Sequence, residues 1–176
     1  MRTLLLLFPL LLAGCSTGPA SIPPSTGTLV VKPAVSWPYG QPVRFAMAEQ
    51  YQYAGTSAES WLTPVQEAVV QGLKERGWQP DSLDLADVLV AIGVAGAADI
   101  SNGEIFSRLG MTPGQITDQA RRAGTLAVVL LDSQSEKPVW SASMQLEVGS
   151  RIPDEERARF SQRWINQMLA SLPGGQ

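Results

Sequence analysis

Asp81, Asp84 and Asp87 stand three residues apart, a spacing at which carboxylates can converge on a hard cation such as Ca²⁺. No EF-hand pattern surrounds them and Asp87 opens an apolar run, so a solvated loop and strand edge is the favoured reading. Asp132 and Glu136 flank a polar turn. Two carboxylates can share general acid and base work, but an Asp there more simply accepts hydrogen bonds from turn amides. The remaining chemistry is narrow. With no His and one Cys, a Ser-His-Asp triad, a Cys-His dyad, a His-ligated metal and a multi-thiolate cluster are excluded. Gly-x-Ser-x-Gly and the two glycine-rich phosphate motifs are missing. No catalytic residue, metal or cofactor is expected. A net charge of −3 argues against a nucleic-acid partner.

Aromatic residues give the other candidate. Trp37, Tyr39, Phe45, Tyr51, Tyr53 and Trp61 fall in one stretch of the chain. Trp37, Tyr39, Tyr51, Tyr53 and Trp61 are a possible binding surface, because Trp and Tyr dominate contact hot spots. Arg121 and Arg122, in the long irregular stretch 96–124, add cations for an anionic partner. The plainer alternative is that the rings fill the core and edge of a sheet and the two arginines are solvated.

The N-terminus reads as an address. Met1-Arg2-Thr3 is a basic start, and residues 4–12 are an apolar run of nine. A bilayer span needs about 20 residues, so the run fits the apolar region of a secretory signal. Leu12-Ala13-Gly14-Cys15 follows and resembles the bacterial lipobox. That resemblance implies cleavage before Cys15, lipidation of its thiol with two or more acyl chains, and stable membrane anchoring without a transmembrane helix. Ser16 rather than Asp after the Cys implies the outer membrane, on its periplasmic side.

Three parts are expected: a signal peptide over 1–14, a lipidated Cys and flexible tether over 15–28, and one globular domain over 29–176. Ser16 to Thr28 is rich in Ser, Thr, Gly and Pro and has one sizeable apolar residue. It cannot fill a core. Its thirteen residues reach about 40–47 Å when extended.

Within the domain, Leu29–Lys32 and Val43–Ala48 read as strands separated by Pro33, Pro38 and Pro42. Thr63-Pro64-Val65-Gln66 has the form of a capping box with Pro at the first helical position, predicting a helix to about Arg76. Val65, Ala68, Val69, Gly72, Leu73 and Arg76 share one face of it, read as core rather than a partner groove, with Gly77 as its C-terminal stop. Ala86–Val94 reads as a central strand. Thr125–Asp132 and Val139–Val148 read as an antiparallel hairpin, with Trp140, Ala142, Met144, Leu146 and Val148 on one face. Thr112-Pro113-Gly114-Gln115 would cap a short helix to Arg122. A last helix is expected from Pro153, with acids in its first turn, a Glu155–Arg159 pair, and Trp164, Ile165, Met168, Leu169 and Leu172 buried. The fold class is therefore α+β: a two-layer sandwich with a mostly antiparallel sheet and two main helices on one face.

The helix ending Leu73-Lys74-Glu75-Arg76-Gly77-Trp78, the strand Ala86-Asp87-Val88-Leu89-Val90, the strand Gly124 to Asp132, Pro138-Val139-Trp140 and the closing Leu172-Pro173 occur in order across most of the chain. Together they resemble the bacterial envelope lipoproteins of the domain-of-unknown-function family forty-one thirty-six. The resemblance implies a fold and a location, and no reaction. The expected function is that of a non-catalytic outer-membrane lipoprotein whose periplasmic domain contacts an envelope protein in assembly or maintenance. The alternatives are a binding module for a small molecule, lipid or glycan, and an enzyme working with carboxylates alone.

Overall fold

The computed structural model describes residues 26–32, 37–96, 107, 109, 124–146 and 152–172. Cys15, Leu12, Ala13, Gly14, Arg121, Arg122 and the helix expected up to Arg122 lie outside them. Six strands form one sheet: β1 (Thr26–Lys32), β2 (Arg44–Ala54), β3 (Gln79–Pro80), β4 (Val88–Ala95), β5 (Gly124–Asp132) and β6 (Pro138–Leu146). Two long helices, α1 (Glu59–Lys74) and α2 (Asp154–Leu169), and a 3₁₀ turn at Thr56–Ala58 accompany the sheet. The strand order is β1-β6-β5-β4-β2-β3. The β1–β6, β6–β5 and β5–β4 pairs are antiparallel. β2 is parallel to β4 and to β3. A parallel pair needs a long crossover, and α1 supplies it between β2 and β4.

The sheet is mostly antiparallel with both helices on one face, as the patterning predicts. Val88, Val90, Ile92 and Val94 of β4, Leu126, Val128 and Leu130 of β5, and Trp140, Ala142, Met144 and Leu146 of β6 pack with both helices in one core. The predicted stripes are the buried ones: Val65, Ala68, Val69, Gly72 and Leu73 on α1, and Trp164, Ile165, Met168 and Leu169 on α2. The helices run in the same direction, so Trp61 meets Trp164 near one end and Gly72 meets Leu169 near the other.

The second face is also buried. Ala46, Ala48, Leu89, Ala91, Ala95, Ala127, Val129 and Leu131 form a separate cluster with Leu109. Burial on both faces explains why β4 and β5 are continuous apolar runs rather than alternating ones. On β6 the second-face positions are Ser141 and Ser143, both buried.

Several boundaries depart from expectation. β1 starts at Thr26, where it pairs with Leu146, so the sheet takes in residues 26–28 ahead of the expected Leu29 start. α1 starts at Glu59 after Ala58, with no side-chain cap, so Thr63 does not cap it and Pro64 lies inside the helix. Pro normally ends or kinks a helix. Here Trp61 and Leu62 pack against the core, and that packing carries the helix one turn upstream of Pro64. In α2, Arg159 pairs with Glu156 at 3.3 Å instead of Glu155, and Arg157 pairs with Asp154 at 2.8 Å.

Candidate functional site

The register places the start of β2, β3, the start of β4, the end of β5 and the start of β6 at one end of the sheet. Trp37, Tyr39, Asp87 and Asp132 gather there. β1 also ends there, at Lys32 opposite Ser141, and the chain then passes to β2. Trp37 and Tyr39 lie on that passage. Tyr39 donates its hydroxyl hydrogen bond to Asp132 Oδ2 at 2.7 Å. Trp37 meets Tyr39 edge-on at 5.1 Å and lies tilted against Trp78 at 5.3 Å. Trp78 is placed by the end of α1. Gly77 takes φ +80°, and the Trp78 N–H returns to the Leu73 carbonyl at 3.1 Å, a glycine-dependent helix stop.

The carboxylates at this end are engaged rather than converging. Asp87 accepts from the Arg44 backbone N–H at 2.8 Å and pairs with its guanidinium at 3.2 Å. Burial works to raise the Asp87 carboxyl, but these contacts outweigh it and hold the group below the usual carboxylate range. Asp132 accepts from the Ser135 hydroxyl at 2.7 Å, from Tyr39, and from the Ser135 N–H at 2.8 Å, and these bonds lower its pKa. The same arrangement, led by burial, raises the Tyr39 phenol well above its ordinary value. Asp81 Oδ1 accepts from the Ser82 N–H at 2.7 Å. Asp81, Asp84 and Asp87 do not assemble a site, and among the described residues no group of three or more metal-ligating side chains could hold an ion. As expected, Asp132 serves its own turn.

Between β3 and β4 the chain makes a single tight turn, with the Leu85 and Ala86 N–H groups both reaching the Ser82 carbonyl. Leu83 is 48% and Leu85 55% exposed, while Asp81 and Asp84 beside them face solvent. The sequence did not single out these leucines. Leu83-Asp84-Leu85-Ala86 alternates like a strand, and only the aspartates around it hint at an exposed turn.

The aromatic stretch is not one shelf. The structure brings Trp37 and Tyr39 together and adds Trp78, while Phe45 joins the helix-side core. Tyr51 and Tyr53 pack against the second face. The cause is a bulge in β2. Met47 pairs with Val90 and Gln52 with Ile92, so five residues advance on β2 while two advance on β4. The three extra residues reverse the side-chain alternation, so Tyr51 and Tyr53 leave the face that Phe45 and Met47 occupy. Gln52 stitches the bulge, donating from Nε2 to the carbonyls of Val90 at 2.8 Å and Ala48 at 3.1 Å. A hydrogen bond to Glu136 raises the Tyr51 phenol above its ordinary value. Trp61 sits elsewhere again, against Trp164 at 5.2 Å and beneath the Arg157 guanidinium.

A family model for a domain of unknown function, DUF4136, matches residues 35–174. The chain belongs to the DUF4136 family. No curated protein matches it. Among solved structures, PelC from Paraburkholderia phytofirmans, described as a dodecamer, is similar at 13% identity and TM-score 0.51, over 85% of this chain and 99% of that one. A PDZ domain protein from Parabacteroides distasonis is similar at 12% identity and TM-score 0.51, over 84% of this chain and 36% of that one. A DUF4136 family protein from Bacteroides thetaiotaomicron is similar at 11% identity and TM-score 0.47, over 81% of this chain and 94% of that one. At these identities the likeness is one of fold.

Proposed function

We propose that this DUF4136 member is a non-catalytic lipoprotein, anchored through Cys15 to the outer membrane and acting in the periplasm through protein contacts in envelope assembly or maintenance. The observation that carries the reading is Leu12-Ala13-Gly14-Cys15 closing a nine-residue apolar run, followed by a Ser/Thr/Gly/Pro segment up to β1. The engagement of Asp87 and Asp132 in structural contacts favours a contact module over an enzyme. Mass spectrometry of the mature N-terminal peptide, with fractionation of the two membranes, tests the anchor. Wild type is expected to carry an acylated Cys15 and to follow the outer membrane, and Cys15→Ala to lose both. An unmodified wild-type Cys15 would overturn the reading.

A specific observation favours one kind of contact. PelC, whose fold this chain shares, is described as a dodecamer. We extend self-association to this chain as part of the proposal, to be read from the mass of the purified full-length lipoprotein in detergent.

A further inference from the structure

β1 is the one strand of the sheet that precedes residue 35, where the family match begins. Without it the sheet would end at β6, whose nine residues, Pro138–Leu146, carry no charge. A long uncharged edge presents unpaired N–H and C=O groups and takes up another strand. The opposite edge is guarded. β3 is two residues long and contains Pro80, and β2 beside it bulges between Met47 and Gln52, where Glu49 and Gln50 are exposed. The β6 edge is therefore the strand-accepting edge of the sheet, and β1 is the strand it takes.

β1 is joined lightly to the rest of the fold. Among the described strands it pairs with β6 alone. Three residues advance on β1 from Thr26 to Leu29 while two advance on β6, so unbroken register covers only Leu29–Lys32. The chain that follows is fixed independently of β1: Tyr39 bonds Asp132, and Trp37 lies against Trp78. Five steps of chain join Lys32 to Trp37 and reach at most about 17 Å. β1 can thus leave its own β6 while the rest of the fold keeps these contacts. The β1 of a second copy offers the vacated edge the same residues in the same register, and exchange of an identical element is a low-cost route to association. We propose that copies of this chain associate by exchanging β1, the β1 of one copy pairing antiparallel with the β6 of another, Val30 opposite Ser143 as in the single chain. The proposal rests on the self-association reading and names its contact. Reciprocal exchange closes a dimer and onward donation closes a ring, both through this one pairing.

The test uses full-length lipoprotein in detergent, with wild type expected as an oligomer by mass. Residues directly opposite in antiparallel strands are spaced for a disulfide. Val30→Cys/Ser143→Cys in one chain is expected, once oxidised, to run as covalent dimers or larger species on a non-reducing gel, with loss of the monomer band. Mass spectrometry of those species is expected to find the link between positions 30 and 143. Lys32→Cys/Ser141→Cys, the pair two residues along, is expected to behave alike. Copies carrying Val30→Cys alone, co-expressed with copies carrying Ser143→Cys alone, are expected to be joined by the same link. An oligomer whose bridges form within single chains, or form in neither pair, would overturn the exchange and leave self-association standing. A monomeric wild type would overturn both.

Discussion

Asp132 shows how one side chain closes a turn and fixes a distant ring. Its carboxylate holds Ser135 within the hairpin turn and Tyr39 from the passage into β2. Because the folded-state pKa of Asp132 is depressed, its stabilisation is present above the unfolded carboxylate range and fades as pH falls through the folded value. Asp87 adds to the same acid limb. Tyr39 has the opposite sign: its raised pKa gives stability that is full below about pH 10 and is lost as pH rises beyond it. Melting temperature followed against pH is expected to fall below about pH 4, less steeply in Asp132→Asn, and to fall above about pH 10, less steeply in Tyr39→Phe. Gly77 gives a second residue-scale prediction. At φ +80° a Cβ is strained although nothing crowds it. Gly77→Ala is expected to cost about 1 kcal/mol in chemical denaturation with no change in secondary structure. Gly77 was legible as a helix stop from its place after the apolar stripe. The Tyr39–Asp132 bond was not, because 93 residues separate its partners.

At the scale of elements, α1 and α2 touch through a glycine. A Cβ at Gly72 would lie 2.8 Å from Leu169 Cδ1, and Leu169 is fully buried. Gly72→Leu is therefore expected to force the helices apart and to cost about 1–3 kcal/mol, a drop of several degrees in melting temperature. The bulge in β2 is the second element-scale device. Gln52 is its internal tie and also accepts from Gln66 Nε2 of α1 at 3.3 Å. Gln52→Ala is expected to destabilise by about 1–3 kcal/mol through the Val90 and Ala48 carbonyls it leaves unpaired. Slower hydrogen exchange is expected to disappear first along residues 47–53. Helix stripes and the hairpin were legible because each follows a period set by its own backbone. The bulge was not: Glu49-Gln50 interrupt the apolar alternation of β2, but only the pairing with β4 shows three extra residues there.

For the whole molecule, the tether and the domain are separable expectations. Deleting residues 16–25 is expected to leave the melting temperature unchanged while shortening the reach from the membrane, which crosslinking to membrane-proximal partners reads. By itself the sequence determined what depends on neighbours along the chain: the two helix stripes, the β5–β6 hairpin, and an α+β class that the structure bears out. Composition and period suffice for these, because an element's buried face is written into its own residues. Tertiary structure alone decided that β2 and β4 run parallel, that the sheet is buried on both faces, and that the aromatic stretch is divided among three places. It also decided that Leu83 and Leu85 stand outside the core. Each of these depends on which strand lies beside which. Pairing joins residues far apart in the chain, and the local periodicity of any one segment is the same for several pairings.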